Sequence, residues 1–470
     1  MNVSKDSQRQ QTTSYEGRPW RVGVEPREET EALSNPPATH GGGNGTKSDG
    51  QTLMERILAK DNMTAAFKRV KSNKGSHGVD GMQVDELRTH LWAEWPNYRQ
   101  QLLEGDYKPQ AVRKVEIPKP NGGSRQLGIP TVMDRLIQQA IAQALTPIFD
   151  PGFSASSYGF RPKRSAHDAI KAACAHIKDG YGTVVEMDLE KFFDRVNHDK
   201  LMSLVARKVG DKRVLHLIRK YLEAGILENG VKVRNEMGTP QGGPLSPLLA
   251  NILLDELDKE LERRGHRFCR YADDFQIYVK SRKAGKRAKE SITCFLEEKL
   301  KLKVNREKSL VGSVYRSKFL GFSFRKVPET GEIRARVHSK SYDRFKDKVR
   351  ARTSRSRSES MEVKRDKLNR LVKGWAGYFK LADMKNPASQ LDEWMRRRIR
   401  MCWWKQWKRI RTKHDNLVRL GVENSKAWEF ANTRKSYWRT ACSPILQTSM
   451  TNRYLKEFGF IFLTDCLSTK

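Results

Sequence analysis

The stretch FCRYADDFQIYV, residues 268–279, sets two adjacent carboxylates, Asp273 and Asp274, between two short apolar runs. Phe268, Tyr271, Phe275, Ile277, Tyr278 and Val279 read as β-strand on either side, so the acids fall at the tip of a tight hairpin. Asp is a good turn former, and an isolated pair would need no other explanation. Upstream, VVEMDLEKFFD places Asp188 at the end of another strand. Two such strands side by side in one sheet would present Asp188 and Asp273 together. Hard carboxylate oxygens grouped in this way suit Mg²⁺, which takes a few carboxylates and completes its shell with substrate phosphates.

The charge balance points to the kind of partner. Ninety Lys and Arg against 55 Asp and Glu give a net charge of +35 and a pI near 10.0. That excess favours a polyanion, nucleic acid above all. An anionic membrane surface competes, but no run approaches the about 18 apolar residues of a spanning helix. The first residues, MNVSKDSQRQQTTS, have no apolar signal core, and a cytosolic or nucleoid-associated protein with no membrane partner is expected. The six cysteines lie far apart with no CxxC and no Cys/His cluster, so reduced thiols are expected rather than disulfides or zinc.

Along the chain, residues 1–50 are polar and end in HGGGNGTKSDG, a composition of disordered segments. Residues 51–106 carry a helical pattern. VRKVEIPKPNGGSRQLGIP then predicts two strands around Asn121-Gly122-Gly123, a hairpin signal. GTPQGGPLSPLLANILLDELDKELERRG reads as a loop feeding a helix, with Ser246 as N-cap, Pro247 in the first turn and Gly265 as the stop. Beyond about 340 the strands give way to basic helices, with RTSRSRSES (352–360) as a linker.

Together these blocks resemble a reverse transcriptase of the group II intron type. The YADD box is Tyr271-Ala272-Asp273-Asp274, the first catalytic strand ends at Asp188, and the pocket loop runs from Gly238 to Pro247. FLGFSF (319–324) is similar to the primer-grip segment, and SYGFRPKRSAHDAI (157–170) to another family block. The resemblance implies an α/β right-hand polymerase fold, fingers and palm with a ferredoxin-like mixed sheet, followed by an all-α basic thumb/maturase domain. It implies two Mg²⁺ ions held by Asp188 and Asp273, with Asp274 a weaker ligand. Phe193 corresponds to the steric gate that excludes a 2′-hydroxyl, with Phe192 beside it in the core. Lys119 and Arg125 would hold the dNTP triphosphate, Gln241 would approach the base pair, and Lys308 would face the pyrophosphate.

The N-terminal extension with KGSHGVDGM (74–82) is similar to the block of intron-type enzymes. The expected divisions are 1–50, an N-terminal extension with fingers at 51–180, palm at 181–335, thumb or maturase domain X at 336–425, and a DNA-binding-like tail at 426–470. WMRRRIRMCWWKQWKRIR (394–411) holds four of the ten tryptophans and eight basic residues without an acid. Tryptophan stacks on unpaired bases while Arg and Lys meet phosphates. Arg396, Arg397, Arg398, Arg400, Trp403, Trp404, Lys405, Trp407, Lys408 and Arg409 are therefore candidate RNA contacts, some rings being expected in the core.

With no paired cysteines of an endonuclease, the pattern is closest to compact IIC-type bacterial intron proteins. The implied function is RNA-dependent DNA synthesis joined to maturation of its own group II intron RNA, with an RNA template, a DNA or RNA primer, dNTPs and target DNA as partners. The alternatives are a free-standing reverse transcriptase of another system and an RNA-binding splicing cofactor without polymerase activity.

Overall fold

The computed structural model describes residues 52–118, 124–228, 231–233, 237–239 and 242–467. The disordered lead-in expected at 1–50 lies outside them. Apolar residues at helical spacing fold the first described segment into helices Leu53–Ile57, Lys60–Asn73 and Leu87–Glu104. Thr52 opens the first as a reciprocal capping box with Glu55. Against them lies the helix Val132–Phe149, whose Leu136, Ile137, Ala140, Ile141 and Leu145 are almost wholly buried. A helix apolar around most of its circumference must be covered on several sides, and this one is the axis of the first core.

Ten strands make three sheets. β1 (Val112–Pro118) and β2 (Ser124–Ile129) form the expected hairpin, its tip at 119–123 lying outside the described residues. They pair with β4 (Ile226–Glu228) and β5 (Val231–Val233) in the order β2-β1-β4-β5, the β1–β4 contact being parallel. β3 (Thr183–Met187), β6 (Arg267–Tyr271), β7 (Asp274–Val279) and β8 (Leu310–Ser313) form the palm sheet in the order β6-β7-β3-β8. All of its pairings are antiparallel, so the mixed character of the fold lies in the fingers. β9 (Phe322–Lys326) and β10 (Ile333–Val337) make a separate ribbon.

The helix Ser246–Arg263 packs behind the palm sheet. Ser246 is its first helical residue and Leu245 the cap, so the expected Ser246 cap is displaced by one position. Gly265, with φ +70°, ends it as expected. The helix expected at 284–300 runs as Arg282–Cys294 and continues into a π turn, Phe295–Lys299.

After β10 the chain is helical. Helices Ser339–Arg352, Met361–Tyr378 and Lys385–Gln406 follow, with 353–360 non-helical where the linker was expected. The tail divided off at 426 shares their core: Trp403, Trp404, Leu446, Met450, Leu455, Phe460 and Phe462 belong to one buried cluster. Arg400 donates to the Met450 carbonyl at 2.9 Å, and Asp392 accepts from the Leu463 and Thr464 amides at 2.8 and 2.9 Å. Thumb and tail therefore fold on one core.

Candidate active site

Strand alternation places the acids. Val185, Met187, Phe275 and Ile277 point into the core, so Glu186, Asp188, Asp274 and Gln276 share the opposite face. The register Met187↔Phe275 puts Asp188 and Asp274 one step further along adjacent strands. Asp273 precedes Asp274 in the two-residue turn closed by Tyr271↔Asp274.

That turn holds Ala272 at φ +58°, a left-handed conformation that costs an alanine about 1–3 kcal/mol. Its surroundings enforce it. Arg270 is completely buried, and its guanidinium donates to the Ala272 carbonyl at 3.0 Å, to Asn251 Oδ1 at 2.9 Å and to Ser157 Oγ at 2.7 Å. The remaining edge meets Asp258, also fully buried, at 2.5–3.0 Å. Asn251 in turn donates to the Gly159 carbonyl at 2.9 Å. A Cβ on Gly159 would lie 2.3 Å from the Ala272 nitrogen, so only glycine lets the two loops meet. Burial holds the Asp258 carboxyl above its usual range although Arg270 pulls it down.

Asp188 is clamped by the loop 305–309. Its N–H donates to Ser309 Oγ at 3.1 Å, and its carbonyl accepts from the Asn305 N–H at 2.8 Å. The loop is closed by Asn305, which accepts from the Lys308 and Ser309 amides. This brings Lys308 Nζ to 3.8 Å from Asp188 Oδ2, both side chains reaching solvent.

Burial, then the negative charges of Asp273 and Glu186, push the Asp274 carboxyl up to about 7; Asp188 adds to this and Lys318 opposes it. Its outer edge is open to solvent while protein crowds the rest, and the neighbouring carboxylates favour the upward direction in either case. Glu186 accepts from the Lys318 amide at 3.3 Å, and burial raises its carboxyl too. This surplus of negative charge, open on one side, fits divalent cations held by a few carboxylates with substrate oxygens completing the shell. Among the described residues no group of three or more His, Cys, Asp and Glu is placed to hold a metal ion.

Phe192 is buried as expected, and Phe193 is half-buried beside it, the rings 5.1 Å apart. The Phe193 carbonyl accepts from the Thr239 N–H at 2.6 Å, and Gly238 donates to Val196 O at 2.7 Å. His198 Nε2 donates to the Gly238 carbonyl at 2.7 Å. Gly238 sits at φ +95°, and a Cβ there would come within 2.8 Å of the Phe193 carbonyl oxygen. Of the other expected pocket residues, Lys119 and Gln241 lie outside the described residues, and Arg125 is described only by its backbone pairing with Ile117.

The basic helix departs from expectation. Arg400, Trp403 and Trp404 are 8%, 6% and 1% exposed, and no RNA can reach them. Arg397 donates to the Trp438 carbonyl and lies 3.9 Å over that ring, and Arg398 donates to Thr353 Oγ1 at 2.6 Å. Arg396, Lys405 and Trp407 are half-buried, whereas Lys408 and Arg409 are exposed. A helix of 3.6 residues per turn spreads the five cations it takes from this stretch, Arg396, Arg397, Arg398, Arg400 and Lys405, around its circumference, so packing against the tail claims several of them.

Sequence reading also missed Arg270, Asn251, Asp258, Ser309 and His198. Only Asn251 and Asp258 left a signal, as polar residues on the apolar stripe of Ser246–Arg263.

Carboxylates at the ends of two paired antiparallel strands, backed by a helix and flanked by a finger hairpin, define the palm of a nucleic-acid polymerase. Residues 117–324 match the reverse transcriptase (RNA-dependent DNA polymerase) family and residues 342–421 the group II intron maturase-specific domain. The Escherichia coli (strain K12) protein YkfC is 36% identical over 326 residues, 60% of this chain and 86% of that protein. The group II intron-encoded protein LtrA of Lactococcus lactis subsp. cremoris is 32% identical over 382 residues, 63% of this chain and 62% of LtrA. A 91 kDa protein in the cob intron of Schizosaccharomyces pombe is 36% identical over 213 residues, 44% of this chain and 25% of that protein. The chain belongs to the reverse transcriptase family, the RNA-directed DNA polymerases, and it carries the group II intron maturase-specific domain. No helix among the described residues is long and apolar enough to cross a membrane.

Proposed function

We propose that this reverse transcriptase binds its own group II intron RNA, promotes its splicing, and copies it into DNA at a target site. The observation that carries the reading is that the helices of the maturase-specific domain share a core with palm strands, Val184 and Tyr278 belonging to the same buried cluster as Leu368 and Trp404. RNA gripped by that domain is thereby held in a fixed relation to the polymerase centre.

In this reading Asp188, Asp273 and Asp274 hold two Mg²⁺ ions. Divalent ions held there would supply the positive charge that activates a primer 3′-hydroxyl and stabilises leaving phosphate oxygens. The protein supplies position and charge, as in other phosphoryl transfers. The Ser309–Asn305 clamp fixes Asp188, and the Arg270 network fixes the turn that carries Asp273. Lys308, beside Asp188, offers a proton and a positive charge on the pyrophosphate side. Phe193 limits space at the sugar, and Lys119, Arg125 and Gln241 serve the triphosphate and base.

Asp273→Asn tests the reading. Removing one metal ligand removes several kcal/mol of transition-state stabilisation, a loss of about a thousandfold or more in primer extension. Intron RNA binding and splicing should survive, because the grip lies on other surfaces. A folded variant that loses splicing as well would refute the division of roles. Sequencing the RNA crosslinked to the protein in its host checks the partner: one structured RNA containing the reading frame is expected, and a diffuse collection would point to a free-standing enzyme.

A further inference from the structure

Three stretches distant in sequence contain no acidic residue: 348–358, 394–414 and 430–456. The fold brings them together. Arg355, from the first, and Lys405, from the second, both lie over the ring of Tyr437 in the third, at 5.5 and 5.0 Å. Arg397 covers Trp438 next to it. Arg398 is tied to Thr353, and burial together with the like charges of Arg350 and Arg355 lowers its guanidinium pKa. Beside Tyr437, Thr433, Arg434, Lys435, Ser436 and Arg439 line a cleft of about 700 Å³. Arg434, Lys435 and Arg439 are exposed, and no carboxylate is supplied by the segment that carries them.

Held together, so many cations repel one another, an arrangement that lowers stability unless a polyanion answers it. We propose that the 433–439 cleft is a binding site for the phosphodiester backbone of RNA, with Arg434, Lys435 and Arg439 as its phosphate contacts and Arg355 extending it. The cleft offers cations and hydroxyls, and cations lie over the Tyr437 and Trp438 rings, so it presents phosphate ligands rather than an apolar face for lipid. RNA is the occupant because the maturase-specific domain, residues 342–421, supplies Arg355 and Lys405 to the same seam. The assignment rests on the RNA-binding part of the proposed function and moves the grip from the Lys385–Gln406 helix to the cleft beside it.

The test compares wild type with the Arg434→Gln/Lys435→Gln/Arg439→Gln triple variant, using a labelled stem-loop RNA of arbitrary sequence over a series of salt concentrations. Phosphate contacts are indifferent to sequence, and each one lost lowers the slope of log K against log salt by about 1. A fall of about 3 with an unfolding midpoint that is equal or higher is expected. An unchanged slope and affinity would overturn the site. So would a variant that loses affinity for duplex DNA while keeping its affinity for RNA. If the wild type itself binds neither the stem-loop nor intron RNA, the proposed function fails first; if it binds and the variant binds equally, the cleft assignment alone fails.

Discussion

At the scale of single residues, the centre depends on groups that never touch substrate. Arg270 joins four partners around the turn of Asp273, and each contact is buried. Replacing it by methionine leaves Asp258 buried without its counter-charge, a loss of about 3–5 kcal/mol. Asp258 has a folded-state pKa above its unfolded value. Such a group contributes its full stability below the unfolded pKa and loses it as pH rises through the folded one. The Arg270→Met penalty should therefore be larger at pH 8 than at pH 5 in urea unfolding; an equal penalty at both would mean that Asp258 does not titrate between them. Ser309 acts on Asp188 in a similar way. Ser309→Ala should raise the Mg²⁺ concentration for half-maximal primer extension by about tenfold or more, and Ser309→Thr should restore it. A lowered maximal rate with an unchanged Mg²⁺ requirement would make Ser309 a packing residue only.

At the scale of elements, the loop from Gly238 and the 3₁₀ turn Phe192–Asp194 form one unit. Two backbone bonds, to Phe193 and Val196, and one from His198 join the loop to the turn and the residues after it, so the position of Phe193 is set by its neighbour across the gap. Phe193→Ala should raise ribonucleotide incorporation relative to deoxynucleotide by about tenfold or more, since a steric sieve of one group separates substrates by about 1–3 kcal/mol. Gly238→Ala should move selectivity in the same direction with the ring intact, because its Cβ must displace the Phe193 carbonyl. Competitive incorporation of the two sugars measures both. Unchanged selectivity in Phe193→Ala would remove the ring from the gate.

At the scale of the whole molecule, the thumb and tail are one folding unit. Asp392, almost wholly buried, accepts from two backbone amides and the Thr464 hydroxyl at 2.7–2.9 Å. Asp392→Ala leaves two buried N–H groups without an acceptor, at about 1–3 kcal/mol each. A chain cut at 421 would uncover Trp403, which packs on Tyr454, Phe458 and Phe460, and would leave Arg400 and Asp392 without their tail partners. Such a chain should aggregate or lose protease resistance throughout 339–421, and a soluble, resistant fragment would show that the tail is a separate domain.

The sequence by itself determined the chemistry. Asp188, Asp273, Asp274 and Phe193 sit in the short ordered blocks that carry the family match, and alternation at period two sends Asp188 and Asp274 to one face of the sheet. The finger hairpin, the helix Ser246–Arg263 and the change from strands to helices near 340 were legible for a similar reason, since each depends on neighbours within a few residues. What the tertiary structure decided is which polar groups are spent inside the fold. Arg397, Arg398 and Arg400 read the same as Lys408 and Arg409 in a line of text. They differ only because Trp438, Thr353 and Met450, some 40–50 residues away along the chain, present backbone or hydroxyl oxygens to the first three. Arg270 was hidden likewise: its partners come from the loop at Ser157 and from the helix Ser246–Arg263, both distant from its own strand. A buried cation is stable only where packing supplies every acceptor, and no local pattern records that.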